Sequence, residues 1–536
     1  MSSLNTFEHK AIFASAGTGK TYQLTNRYIY ILHYTLAPEK IIALTFTRAS
    51  AGEFFTKIIE KLHQASSSEV FASELSSQIK IEADSSRYKI LLRCVLENLN
   101  QINLQTLDSF LYKIITSFTP ELGLPENLKL LSENSRVHYQ KEVQDGLIHE
   151  IQPNSKNNDP LKQFWYAFKQ SNYGDSVRSI EKNLTDYIDQ LYSLYIESPK
   201  IAKWGNFNEI FGEKMRGYNP DSIDWLELSN NLIKAIPENL SLSERNAFTK
   251  TASIIANFPE NQNFVTLITR SIEAYDALLS GKAIIKIGRP DRTIEGPLCS
   301  ALADCITAIF NYYIKRSIDS TQGTHAILDI YNKNYDVHVR QKGKLTFSDL
   351  IAVLKPSSDL SNFSIHDPEV RSLIDFRLDA QFDHWLFDEF QDTSRPQWNI
   401  ISNLVDEAIQ DPSKERSVFF VGDTKQSLYL WRNSDDRLFQ EICDHYESAI
   451  AQPEQMTESY RSSPAIMDAV NAVFDDNTLI SNYFSPATAE RWKKAWRPHY
   501  ASKLTQNIPG YAAWIKVGKD EDLDKESAIY QNYPRA

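Results

Sequence analysis

Cysteine is scarce: the 536 residues hold four, Cys94, Cys299, Cys305 and Cys443. They make no C-x-x-C pair and have no histidine at metal-ligand spacing, which excludes a disulfide framework and a zinc ribbon. A reducing, cytoplasmic setting is the expectation. Long apolar runs are also missing. No stretch approaches the roughly 20 apolar residues of a membrane span, and Met1–Lys10 carries no signal-peptide core, so no membrane partner is expected. Positive charge is in deficit, with 57 Lys+Arg against 69 Asp+Glu and a net charge of -12. An acidic protein binds polyanions poorly as a whole, so any nucleic acid must be held in a local groove. Internal repeats and low-complexity tracts are absent.

What is present is a folded, globular composition, 42% hydrophobic and 24% charged, at a length that implies two to four compact units. Two textures alternate along it. Residues 1–118 and 341–465 carry short apolar runs, each followed by a helical pattern: Ala11–Ala14, Ile41–Thr47, Trp385–Phe387 and Val418–Val421. That predicts a buried parallel sheet covered by helices. Residues 119–340 read mainly as helices. Val177, Ile180, Leu184, Ile188, Leu191 and Leu194 recur at helical spacing. So do Leu298, Ala301, Leu302, Cys305, Ile306, Ile309, Phe310 and Tyr313. The expected fold is therefore an α/β domain, residues 1–118 with 341–465, interrupted by a large helical insertion. A new unit begins after residue 465. Residues 466–536 read as the start of a second α/β domain, too short to complete one.

Three motifs carry chemistry. Ala14-Ser15-Ala16-Gly17-Thr18-Gly19-Lys20-Thr21 follows an apolar strand and opens a helical pattern (Tyr22, Leu24, Tyr28, Ile31), where a phosphate-binding loop must sit. Gly17 and Gly19 permit close backbone approach, Lys20 reaches the β/γ-phosphates of ATP, and the Thr21 hydroxyl is a Mg²⁺ ligand. Asp388-Glu389-Phe390-Gln391-Asp392 ends a second apolar strand. Asp388 there suits Mg²⁺, and Glu389 suits orientation or deprotonation of the attacking water. Val421-Gly422-Asp423-Thr424-Lys425-Gln426 and the following Tyr429 and Trp431 end a third. Gln426 is a neutral amide able to sense a γ-phosphate, and the two aromatic faces suit base stacking.

At these motifs the sequence resembles the UvrD/RecB-type helicases of superfamily 1. Thr45-Phe46-Thr47-Arg48-Ala49-Ser50-Ala51-Gly52-Glu53 and Glu458-Ser459-Tyr460-Arg461-Ser462-Ser463 agree with it, as do Thr106-Leu107-Asp108-Ser109-Phe110 and Leu345–Leu350. The resemblance implies a RecA-like P-loop fold and ATP with Mg²⁺ as cofactors. Arg461 would touch the γ-phosphate and Tyr460 would stack on adenine. Phe46 and Trp431 would stack on single-stranded DNA, whose backbone Thr47 and Ser109 would contact. It further implies 3′-to-5′ movement and, through its RecB/AddA-like wording, processing of duplex ends in repair or recombination with a nuclease or second helicase subunit. Two departures stand out. Asp108 occupies a position where relatives commonly carry histidine, and two further motifs of the family's second α/β domain do not follow Arg461. The expectation is thus an ATP-driven DNA motor that, as residues 1–536, binds Mg²⁺-ATP but hydrolyses it slowly. A nucleotide-gated DNA-binding module and a small-molecule phosphotransferase are the competing readings. Gln426 beside Trp431 argues against the second, which has no use for a base-stacking face.

Overall fold

A computed structural model describes residues 7–131, 133–150, 166–169, 171, 180–211, 223–260, 264–287, 291–354, 367–378, 381–427, 435, 437–450 and 453–513. Its contacts divide the chain into two compact units, Met1–Leu128 with Asp349–Ala536, and Lys129–Ser348.

The first unit is built on six parallel strands: β1 (Lys10–Ala14), β2 (Ile41–Thr45), β3 (Asn103–Thr106), β4 (His384–Phe387), β5 (Ser417–Gly422) and β6 (Glu454–Met456). They lie in the order β6-β1-β5-β4-β2-β3, with every pairing parallel. The register sets Ile12 beside Val421, Leu386 beside Phe419 and Ala43 beside Leu386. β2, β4 and β5 are buried at every residue, as strands covered on both faces must be. Their unbroken apolar runs are the ones legible in the sequence.

One face packs Ile12, Leu386, Phe419 and Val421 against helices that contribute Leu24, Tyr28, Phe54, Ile58 and Leu91. The other face is aromatic. Phe420 stacks on Phe387 at 5.0 Å and meets Phe390 edge-on at 4.9 Å, with Trp398 and Phe439 closing around them. Truncating such a ring to alanine costs about 3–5 kcal/mol, so this cluster anchors the turns after β4 and β5. Residues 453–513 add three helices, Pro464–Phe474, Asn477–Tyr483 and Pro486–Ala495, and a two-residue parallel pair, Glu458–Ser459 with Tyr500–Ala501.

The second unit has a 42-residue helix, Pro297–His338, as its spine. Its first half buries Leu298, Leu302, Cys305, Ile306 and Ile309 against Phe248, Ile255, Phe258 and an antiparallel hairpin, Lys282–Lys286 with Asp291–Glu295. Its second half buries Ile327, Leu328, Tyr331 and Tyr335 against Leu184, Ile188, Tyr192 and Tyr195. Among the described residues it is the one helix long and apolar enough to cross a membrane, and these contacts account for its apolar face. The stripe predicted before it needs correction. Helix Ile180–Glu197 exists, but Leu194 is 50% exposed and the buried positions after Ile188 are Tyr192 and Tyr195. A 3.6-residue step from Ile188 lands on those tyrosines. Val177 lies outside the described residues.

Candidate active site

β1, β5 and β4 are adjacent, so their carboxyl ends deliver three loops to one edge of the sheet. In open α/β sheets that edge is where ligands bind.

After β1 the chain turns through Gly17 and Gly19, both in the left-handed region at φ +75° and +92°. At Gly17 a Cβ would sit 2.9 Å from Arg461 Cβ and 3.1 Å from Ser459 Oγ, so only glycine fits there. Thr18, fully buried, donates from its hydroxyl to Ser15 O at 2.8 Å and locks the loop. Helix α1 (Lys20–Thr35) then begins with Gly19 at its N-cap, no side-chain cap and no acidic residue in its first turn. Its first N–H groups therefore keep their donor capacity and their partial positive charge for an anion. Leu24, Tyr28 and Ile31 face the core as expected, whereas Tyr22 is 40% exposed. Lys61 Nζ lies 3.3 Å from the centre of the Tyr22 ring, a cation–π contact that gives this surface ring a partner.

After β4, Asp388 is 9% exposed. Burial, and then the neighbouring Glu389, raise its carboxyl to about 6. A cation held there would reverse that penalty. Among the described residues Glu389 is one of the few non-glycine positions with positive φ, at +48°, a conformation that costs on the order of 1 kcal/mol and persists only where its surroundings enforce it. Its Oε2 lies 2.5 Å from Lys20 Nζ and accepts from Gln391 Nε2 at 2.8 Å.

After β5, Asp423 is 2% exposed and gathers the turn. It accepts from Gln426 Nε2 at 2.6 Å and pairs with Lys425 Nζ at 2.9 Å. Tyr429 and Trp431 lie outside the described residues. The segment after β6 closes the loop from the other side. Tyr460 N donates to Gly17 O at 2.8 Å, and the Arg461 side chain packs on Gly17. Tyr460 itself is 51% exposed beside the phosphate loop.

Lys20, Glu389, Gln426, Tyr460 and Arg461 thus come from segments far apart in the chain to one edge of one sheet. The donor set fits a nucleoside triphosphate with Mg²⁺: a glycine cradle without room for side chains, an uncapped helix N-terminus, a lysine, and a buried carboxylate beside a second one.

The remaining predicted residues sit at the ends of β2 and β3. Phe46 lines a small cavity of about 20 Å³ together with Asp108, Asp388, Glu389 and Gln397. Asp108 Oδ1 accepts from Gln397 Nε2 at 2.7 Å, which ties it to the helix Arg395–Ile409. Thr47 and Thr106 each cap a following helix, Arg48–Ser67 and Leu107–Ser117, by accepting from Ser50 N and Ser109 N. Ser109 Oγ is bonded to Thr106 Oγ1 at 2.7 Å. Beside them is an open groove of about 510 Å³ lined by Arg48, Phe55, Gln105, Thr106 and Ser109. Arg48, Gln105 and Gln391 had no role assigned from sequence. Arg48 and Gln391 stood inside motifs already singled out, which was the available signal.

Residues 3–447 match the family model of the UvrD/REP helicase N-terminal domain. Among curated relatives, an ATP-dependent helicase/nuclease subunit of Clostridium beijerinckii is 22% identical over 87% of this chain and 38% of its own length. Its counterpart in Levilactobacillus brevis is 24% identical over 86% of this chain and 37% of its own length. The RecBCD enzyme subunit RecB of Chlamydia trachomatis is 24% identical over 98% of this chain and 49% of its own length. The chain spans less than half of each of these three relatives. The P-loop edge of the sheet and the match over residues 3–447 agree, and the chain belongs to the UvrD/REP helicase N-terminal domain family, as the N-terminal part of a UvrD/RecB-type superfamily 1 helicase.

Proposed function

We propose that this chain binds Mg²⁺-ATP at the edge formed by β1, β5 and β4 and couples its hydrolysis to movement along single-stranded DNA. Ala14–Thr21 would wrap the phosphates, with Lys20 on the β/γ oxygens. The Thr21 hydroxyl and Asp388 would hold Mg²⁺, which when bound supplies charge neutralisation between the β- and γ-phosphates. Glu389 orients the attacking water and takes its proton. Gln426 and Arg461 would contact the γ-phosphate, and Tyr460, 51% exposed, would offer its ring to the adenine. Phe46, Thr47 and Ser109, with Tyr429 and Trp431, form the DNA-facing set. The observation that carries this reading is the 2.5 Å approach of Lys20 to Glu389, the two residues proposed as phosphate ligand and base.

The relatives' names, subunits of a helicase/nuclease and of the RecBCD enzyme, support partnership with a nuclease or second helicase subunit. A role in DNA repair or recombination, processing of duplex ends and 3′-to-5′ movement are proposed from the motif resemblance. The test is steady-state ATP turnover with and without single-stranded oligonucleotide, alongside fluorescent-nucleotide binding. Turnover raised by DNA supports the motor. Tight binding of both ligands without stimulated turnover leaves a nucleotide-gated DNA-binding module, and no nucleotide binding removes the reading.

A further inference from the structure

Gln391 is 2% exposed and spends both ends of its amide on two different loops. Nε2 donates to Glu389 Oε2 at 2.8 Å. Oε1 accepts from Asp423 N at 2.8 Å, just past the end of β5. Its backbone carbonyl also accepts from Ser427 Oγ at 3.4 Å. Room for the amide is made by Gly422, where a Cβ would lie 2.6 Å from Gln391 Oε1 and 3.2 Å from Phe390 N. Asp423 in turn holds Gln426. The result is one bonded chain, Lys20–Glu389–Gln391–Asp423–Gln426, joining the phosphate loop to the turn that leads on to Tyr429 and Trp431.

We propose that Gln391 is a positioning residue that ties the Glu389 carboxylate to the 423–427 turn, so that nucleotide and DNA occupancy are coupled through it. The inference rests on the function proposed above. A buried amide with a donor on one partner and an acceptor on the other transmits position, because a shift of either loop leaves a desolvated polar atom unbonded. A triphosphate draws Lys20 from Glu389, and the Gln391 amide is then the contact that fixes the carboxylate. Displacement of the 423–427 turn by DNA moves the same amide. Coupling of this kind is reciprocal: each ligand changes the other's affinity by one factor.

The experiment measures that factor on the full chain, using a non-hydrolysable ATP analogue with Mg²⁺ and fluorescent oligothymidylate. Each affinity is read with and without the other ligand. In Gln391→Met the factor should fall to within about two-fold of unity while each ligand alone binds within about three-fold of the parent. Gln391→Glu sets two carboxylates together and should also lose it. Adding Glu389→Gln to Gln391→Glu reverses the polarity of the bond and should restore the factor, which a general loss of packing would not do. If Gln391→Met does not fold, Gln391→Glu and the reversed pair decide. A parental factor retained in Gln391→Met or Gln391→Glu, or a reversed pair as uncoupled as Gln391→Glu, overturns the tie alone. So does a parent that binds both ligands independently. A parent that binds neither overturns the function proposed above, and the tie with it.

Discussion

The Lys20 ammonium and the Glu389 carboxylate are 2.5 Å apart, their side chains 11% and 32% exposed. Two catalytic candidates therefore neutralise each other, and a bound triphosphate would compete with Glu389 for the same cation. Lys20→Ala removes the only lysine of the phosphate loop and should abolish turnover and weaken nucleotide binding by at least about 100-fold, roughly 2.7 kcal/mol. Glu389→Gln keeps Asp388 and releases Lys20. Nucleotide should then bind as tightly as to the parent or a few-fold tighter, while hydrolysis falls by about 10²–10⁴. Fluorescent-nucleotide titration beside single-turnover hydrolysis reads both. Equal loss of binding in the two variants would refute these roles.

Gly17→Ala tests the cradle. The new methyl would meet Arg461 Cβ at 2.9 Å on a backbone at φ +75°. The backbone term costs about 1–2 kcal/mol, and the collision displaces Arg461 from the phosphate loop. Nucleotide affinity and turnover should both fall at least about tenfold, with a loss of thermal midpoint of only a few degrees. An unchanged affinity would show that Arg461 and the loop need not sit this close.

His384 gives a pH signature. It opens β4 at 1% exposure, its Nδ1 3.0 Å from Ser417 Oγ. Burial, and then the charges of Arg27, Lys40 and Arg416, lower its pKa to about 3. The unfolded chain takes up the proton near pH 6.5 while the fold refuses it, so the unfolded state binds more protons below that pH. Stability from this site is complete above pH 6.5 and should fall by at most about 1.4 kcal/mol per unit as the pH drops toward 3. Half-buried His9 and buried His499 add slopes of the same sign. The reading is therefore the difference between the parent and His384→Gln in urea midpoint from pH 7 to 5. Parallel curves would remove His384 from the account.

What the sequence disclosed follows burial. β2, β4 and β5 are covered on both faces, and their apolar runs announced them. The edge strands Asn103–Thr106 and Glu454–Met456 did not, because an edge strand with polar, part-exposed residues has no such run. The hairpin Lys282–Lys286 with Asp291–Glu295 was hidden inside a helical stretch, although Ala283 and Ile285 alternate with exposed Lys282, Ile284 and Lys286. The phosphate loop and the Asp388–Glu389 pair were legible because their chemistry is local and contiguous. Gln391 was not, since its partner Asp423 lies 32 residues away and only strand order brings them together. The hydroxyl of Thr47, a residue the resemblance assigns to DNA, caps the helix Arg48–Ser67.

The residues proposed to face DNA separate into two kinds, whose contacts salt can tell apart. Arg48 and Ser109 line the open groove, beside Thr106 at the start of the helix Leu107–Ser117. Helix N-termini and a guanidinium suit phosphate oxygens. Phosphate contacts release counterions, and each contributes about 0.7 to the slope of log K against log salt on a single strand. Arg48→Ala should therefore weaken oligonucleotide binding and lower that slope by about 0.7. Trp431, assigned to base stacking, carries no charge. Trp431→Ala should lose about 1–3 kcal/mol of affinity at every salt concentration with the slope unchanged. Fluorescence anisotropy of labelled oligothymidylate from low to physiological salt measures both lines. A parallel, unshifted line for Arg48→Ala would take the groove off the DNA path, and an unshifted line for Trp431→Ala would return that residue to a packing role.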